Sequence, residues 1–227
     1  MDFVLSKSNI NRIDKIQDLK PSVISQQPRL DLTNKNSYMF KSWNAENSPI
    51  LPIFQIDKDK DNSYKLWIHT NAIAERLDLS SKKFLELFID RFESFPLLNK
   101  WQNYLSEELC NASKFNVGQI NEAISLCMDI NCKNEITNWS FQLTKIKCSL
   151  IVEKKHIDAL LSRKSNTRIT SRILKPIKEY IEDLDKIVEI SKAFRIEQLL
   201  EGKIEIPKPT NNIESLKQFL IHNPFDF

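Results

Sequence analysis

The chain has 227 residues, 41% of them hydrophobic and 28% charged, with a formal net charge of +3. A chain of this length buries enough surface to fold without a disulfide or metal staple, and its charge alone is too small to imply a nucleic-acid partner. Gly118 and Gly202 are the only glycines, so there is no glycine-rich loop to cradle a phosphate; P-loop and dinucleotide-fingerprint enzymes are excluded, and helices are favoured over a turn-rich sheet.

The first ten residues, Met1 to Ile10, contain Asp2, Lys7 and Asn9 and lack the apolar run of a secretory signal. No stretch reaches the roughly 18 consecutive apolar residues of a membrane span. The expectation is a cytoplasmic protein with no membrane contact, in which Cys110, Cys127, Cys132 and Cys148 stay reduced.

Residues 1–48 are polar, carry Pro21 and Pro28, and read as an irregular arm with a short helix near Ile10 to Leu19. From Pro49 the pattern changes. Ile50, Leu51, Ile53, Phe54 and Ile56 form one apolar run and Lys65 to Ile68 another, around a stretch dense in turn formers from Asp57 to Ser63. That arrangement predicts a small hairpin. Asp57, Asp59 and Asp61 have the spacing that opens a calcium loop, but Ile68 occupies the twelfth position and Asn62 the sixth, so a turn is the better reading.

Beyond Thr70 the apolar spacing is helical. Short helices are predicted over Asn71–Leu77, from Ser80 or Ser81 to Phe92, and from Pro96 to about Leu109. Asn116 with Gln119 predicts a capping box for a helix ending near Ile130. In the segment 134–163, Trp139, Phe141 and Leu143 alternate as a strand would. Ile136, Trp139, Leu143, Ile146, Leu150, Ile157 and Leu161 keep helical spacing for longer, and length decides for helix. A heptad seam then runs through Ile173, Ile177, Tyr180, Leu184, Ile187, Ser191, Phe194 and Gln198, with Pro176 either kinking its early part or marking its true start and Gly202 as its C-terminal cap. Asn211 with Glu214 caps a last short helix. The fold class expected is mainly α: a helical domain with a small N-terminal β-hairpin and a long C-terminal helix. Its parts are an arm at 1–48, a hairpin plus helix pair at 49–111, a helical region at 112–202, and a linker, short helix and tail at 203–227.

The run from Ile73 to Leu79, with Ser80 and then Ser81-Lys82-Lys83-Phe84-Leu85-Glu86-Leu87-Phe88, resembles the helix-turn-helix signature of DNA-binding proteins. Ala74 sits where that signature has a small residue. Ile73, Leu77 and Leu79 would form the shared core, and Asp78 stands where the family usually has glycine. The resemblance implies that Ser81, Lys82 and Lys83 face a major groove. Between Lys154 and Lys178 eight basic residues meet only Asp158, and Arg168, Arg172 and Lys175 share one helical face. Arg163, Lys164, Arg168, Arg172 and Lys175 are therefore candidate phosphate contacts.

The four cysteines, spaced C-x16-C-x4-C-x15-C, offer one loose pair where a zinc site has two close ones. They read as buried thiols, and no cofactor or metal is expected. The histidines are His69, His156 and His222, and no HExxH or GxSxG signature appears. No catalytic residue is assigned, and the expectation leans away from an enzyme. The leading reading is a DNA-binding regulatory or accessory protein. The alternative is a non-catalytic helical protein–protein adaptor or structural subunit, associating with itself or a partner through the 173–198 helix or through the tail Pro224 to Phe227.

Overall fold

The computed structural model describes residues 27–41, 51–59, 62–72, 75, 95–97, 100–102, 114–163 and 171–203. The chain divides into two units, residues 1–189 and 190–227. The first is built on a sheet, so the expected mainly α class is overturned. Its strands are β1 (Leu30–Asp31), β2 (Ser37–Lys41), β3 (Ile53–Lys58), β4 (Tyr64–Asn71), β5 (Phe95–Leu97), β6 (Lys100–Gln102), β7 (Ile120–Ile130), β8 (Ile136–Lys147) and β9 (Leu150–Glu153). Among the described residues there are two α-helices, α1 (Lys154–Ser162) and α2 (Ile181–Leu200), the second preceded by a 3₁₀ turn over Lys175–Tyr180.

Seven strands form one sheet in the order β1-β8-β7-β4-β3-β2-β9, and β5 pairs with β6 separately. The β1–β8 and β2–β9 pairs are parallel, and the other pairs are antiparallel. The turn-rich stretch after Lys58 does join two strands, with Phe54 opposite Ile68 and Ile56 opposite Leu66. With glycine so scarce, asparagine supplies the left-handed residue of the β3–β4 and β7–β8 turns. Asn62 has φ 57° and Asn134 φ 65°, a region asparagine tolerates better than most residues. In the second turn Asn131 Oδ1 accepts from the amides of Lys133 and Glu135.

Two expected helices are strands for identifiable reasons. The Asn116–Gln119 box closes a turn instead: Asn121 folds back, accepting from the Asn116 amide and donating to the carbonyls of Asn116 and Gln119. The chain therefore leaves extended, as β7. The stretch 136–147 pairs with β7 from Ile120–Lys147 through Ile130–Ile136, so its period is two and the helical spacing is incidental. Pro96 likewise lies in a strand, opposite Trp101. The predicted helices at 10–19, 80–92 and 211–221 and the 224–227 tail lie outside the described residues.

Both faces of the sheet are used. On one, Ile53, Trp67, Ala123, Cys127 and Ile146 pack with Leu32, Phe115 and Cys148 and with the partly buried Met39. On the other, Tyr38, Ile56, Leu66 and Met128 are buried, and Tyr38 meets the 3₁₀ turn and the start of α2. The Tyr38 hydroxyl donates to Asp183, and its ring lies edge-on to Tyr180 at 5.8 Å. Lys186 sits over the Tyr64 ring and also donates to Asn134 in the β7–β8 turn. Ile177, Ile181, Leu184 and Ile187 are buried, whereas Ile173 is half exposed. The first half of the expected heptad seam is thus spent on the protein's own sheet, not on a partner. In the second unit Gly202, with φ +86°, ends the helix as expected: its amide reaches Leu199 and that of Lys203 reaches Gln198, a Schellman closure. Among the described residues no helix is long and apolar enough to cross a membrane.

Burial pushes the Tyr38 hydroxyl well above its ordinary range, with the Asp183 hydrogen bond adding to it. Burial also raises Asp183, a shift that the hydrogen bond from Tyr38 opposes. Tyr38→Phe leaves a half-buried carboxylate without its donor and should cost about 1–3 kcal/mol in urea denaturation. NMR titration of Asp183 should show its pKa moving further up; no movement would mean the contact does not form.

Candidate nucleic-acid interface

β8 is flanked by β7 along its whole length, but by β1 only at Thr144 and Lys145. Strand alternation puts Trp139, Phe141, Leu143, Lys145 and Lys147 on one face. Their neighbours across the β7 ladder are Met128, Leu126, Ile124, Glu122 and Ile120. On this face Met128 is buried, and burial fails one strand further on. Trp139 is 61% exposed, Phe141 68% and Ile120 66%.

The two rings meet edge to face, 5.8 Å between centroids and 78° between planes. Lys145 and Lys147 beyond them are exposed. The acids nearby are Glu122, opposite Lys145 and 3.6 Å from Arg29, and Asp31, beside Lys145 on β1. Side chains two residues apart stand about 6.8 Å from one another along a strand. Two open aromatic planes at that spacing and, past Leu143, two ammonium groups at the same spacing can stack planar groups and hold anions next to them.

The opposite face carries a buried polar row. His69 Nδ1 lies 2.7 Å from Ser125 Oγ, which lies 2.6 Å from Thr144 Oγ1. A serine beside a histidine suggests a nucleophile and base. Here, however, His69, Ser125 and Thr144 have no solvent exposure, and burial drives His69 down to about 4. A nucleophile that no substrate reaches does no chemistry, so the row is structural. Its neighbours form an ion ladder in which Asp57, Lys65 and Asp129 stand opposite one another on β3, β4 and β7. Lys65 reaches Asp129 at 2.5 Å, and Lys35 reaches Asp57 at 3.2 Å. Arg29 and Glu75 form a buried pair, with Arg29 also donating to the Ala123 carbonyl.

Of the residues singled out by sequence, Ser81, Lys82, Lys83, Lys164 and Arg168 lie outside the described residues, as does the helix-turn-helix stretch apart from Glu75. Arg163 ends α1 and is ion-paired with Asp185 at 3.4 Å. Arg172 lies in a turn and Lys175 opens the 3₁₀ segment, both exposed, so no single helix carries them. Trp139 and Phe141 were missed. Their signal was the alternation from Trp139 to Leu143, outweighed by a longer coincidental helical spacing. Cys127, Cys132 and Cys148 are free thiols; burial raises Cys127 and Cys148.

The sequence matches the family model for the RNB domain over residues 29–223. The chain belongs to the RNB domain family. This overturns the helix-turn-helix resemblance, and with it the DNA-binding regulator, the DNA partner and the helical adaptor. Solved RNB-like structures share the fold. Mycoplasma genitalium RNase R in complex with ribose-methylated single-stranded RNA matches at TM-score 0.61 and 14% identity, over 84% of this chain and 29% of that one. Yeast Ssd1, described as a pseudonuclease, matches at 0.60 and 15%, over 84% and 22%. RNase R from the same mycoplasma with double-stranded RNA matches at 0.59 and 15%, over 80% and 30%. The RNB chain described here thus spans less than a third of each of these neighbours. Among curated protein sequences no match is found.

The buried His69 makes stability depend on pH. Its folded pKa, about 4, lies below the ordinary 6.5, so the unfolded chain takes up the proton first as pH falls. Stability is full above pH 6.5 and is lost progressively down to about pH 4, by on the order of 3 kcal/mol at about 1.4 kcal/mol per unit. Chemical denaturation across this range should show that loss, and His69→Gln should remove it. An equal loss in the variant would place the proton uptake on another group.

Proposed function

We propose that this protein is an RNA-binding module of the RNB fold that holds unpaired RNA on the exposed face of β8. The observation that carries the reading is the open pair Trp139 and Phe141, followed on the same face by Lys145 and Lys147. Bases stack on aromatic faces whatever their identity, and lysines hold the backbone phosphates. Stacking on a strand face needs splayed bases, which favours single strands over a duplex. Arg172 and Lys175, exposed before α2, are auxiliary phosphate contacts in this reading, and Lys82 and Lys83 remain candidates for the same role. The compartment proposed is the cytoplasm, where the free thiols stay reduced.

The reading is binding rather than cutting. Nucleases commonly gather several acidic side chains around two metal ions. The described carboxylates do not fit that arrangement: Asp57, Glu75 and Asp129 each face a lysine or arginine. No group of three or more His, Cys, Asp or Glu able to hold a metal occurs among the described residues. One structural neighbour is itself described as a pseudonuclease.

Fluorescence anisotropy with a labelled single-stranded oligoribonucleotide tests the reading. Trp139→Ala or Phe141→Ala should weaken binding by about 1–3 kcal/mol per lost stack, roughly 5- to 150-fold. Lys147→Glu should flatten the dependence of log affinity on log salt by about 0.7. Unchanged affinity in both aromatic variants would dismiss the β8 site. Incubation of the same RNA with the protein and magnesium should leave its length intact, and a ladder of shortened products would contradict the non-hydrolytic reading.

A further inference from the structure

Sheets end in strands whose outer amides and carbonyls are unpaired, and proteins protect such edges with charge, proline, bulges or a covering element. On β8 a register shift against β7 leaves Thr137 as an extra, bulged residue, but among the described residues the outer edge has none of these over the six residues Asn138–Leu143. Among the described residues no strand lies against it, because β1 pairs only with Thr144 and Lys145. That run reads Asn-Trp-Ser-Phe-Gln-Leu, without a charge, a proline or a glycine. Charges return on β8 at Lys145, which β1 already covers, and at Lys147 beyond it.

The geometry points to a second copy of this chain as the occupant: two β8 strands pair edge to edge, antiparallel, about a two-fold axis through Ser140. Opposed residues in an antiparallel pair share a face, which restricts the register. With Ser140 on the axis, Trp139 stands against the partner's Phe141 and Phe141 against the partner's Trp139. On the opposite face Asn138 meets the partner's Gln142, amide to amide, each able to donate and accept. The irregularity at Thr137 bounds the pairing at one end and β1, which begins at Thr144, at the other. The stretch pairs with itself without placing any charge opposite another, as an isologous interface requires. Nor does this compete with the RNA reading. Strand addition uses backbone at the edge and leaves the face open, so the aromatic platforms of the two copies become one continuous surface. The dimer stands on the edge alone and holds whether or not RNA binds.

A single strand pair is at the small end of interface sizes, so the dimer should dissociate in roughly the micromolar range. Sedimentation of the full chain after nuclease treatment, from about 1 to 100 µM, should show a reversible monomer–dimer equilibrium that persists in high salt. Asn138→Lys with Gln142→Lys sets like charges opposite each other at two positions and should leave only monomer, with circular dichroism unchanged. If that variant misfolds, amide hydrogen exchange of the unmodified chain decides instead: amides within 138–143 should exchange more slowly as concentration rises. A monomer throughout, a dimer that survives the double substitution in a folded variant, a dimer that disappears with nuclease, or concentration-dependent protection confined to other strands would each overturn the proposal. Loss of RNA affinity with an intact dimer would instead count against the RNA site alone.

Discussion

The long antiparallel ladder between β7 and β8 is the constraint from which the surface of this protein follows. It runs from Ile120–Lys147 to Ile130–Ile136 and fixes which side chains of β8 face which way. Given that pairing, Thr144 and Ile146 are directed into the interior, where they are fully buried, and Trp139 and Phe141 are directed to the opposite face. A one-residue slip would exchange the two sets. Such a slip would bury the lysines at 145 and 147 and break the Ser125–Thr144 contact. The turn at Asn131–Glu135 secures the register, since Asn131 bonds two amides and Asn134 takes the left-handed conformation.

The interior combines apolar packing with polar pairs, and the two have different roles. Ile53, Ala123 and Ile146 are fully buried in the cluster with Leu32 and Phe115. Removing several carbons from such sites costs about 2–5 kcal/mol, so they supply most of the cohesion. Arg29 with Glu75 contributes little net stability, because the desolvation of two buried ions offsets their attraction. Breaking it would nonetheless leave an uncompensated charge inside. Lys65 with Asp129 is more exposed and screened, although the contact raises the lysine and lowers the aspartate in the expected directions. These pairs serve register and specificity more than strength.

What the sequence disclosed was local. Turn formers between two β-prone runs marked the β3–β4 hairpin, and Gly202 marked the end of α2 because helix termination needs a left-handed residue. What it concealed was set at longer range. Residues 136–147 satisfy both a helical and a strand period, and only pairing with β7, a segment misread through its apparent capping box at Asn116, removes the ambiguity. Ile177, Leu184 and Ile187 were legible as buried, yet a heptad does not reveal whether it faces another helix or, as here, a sheet. The aromatic platform was hidden for a related reason: apolar side chains in a periodic run are ordinarily read as pointing inward, whereas Trp139 and Phe141 lie on a stretch of the sheet face that stays exposed.

The central claim, that bases stack on β8, is tested most directly by NMR of the tryptophan indole groups during titration with a short unpaired oligoribonucleotide. Trp67 is buried in the cluster on the far side of the sheet and acts as an internal control. The account requires the Trp139 indole signal and the β8 amides to move with RNA while Trp67 stays in place. Movement elsewhere with Trp139 unchanged would contradict it.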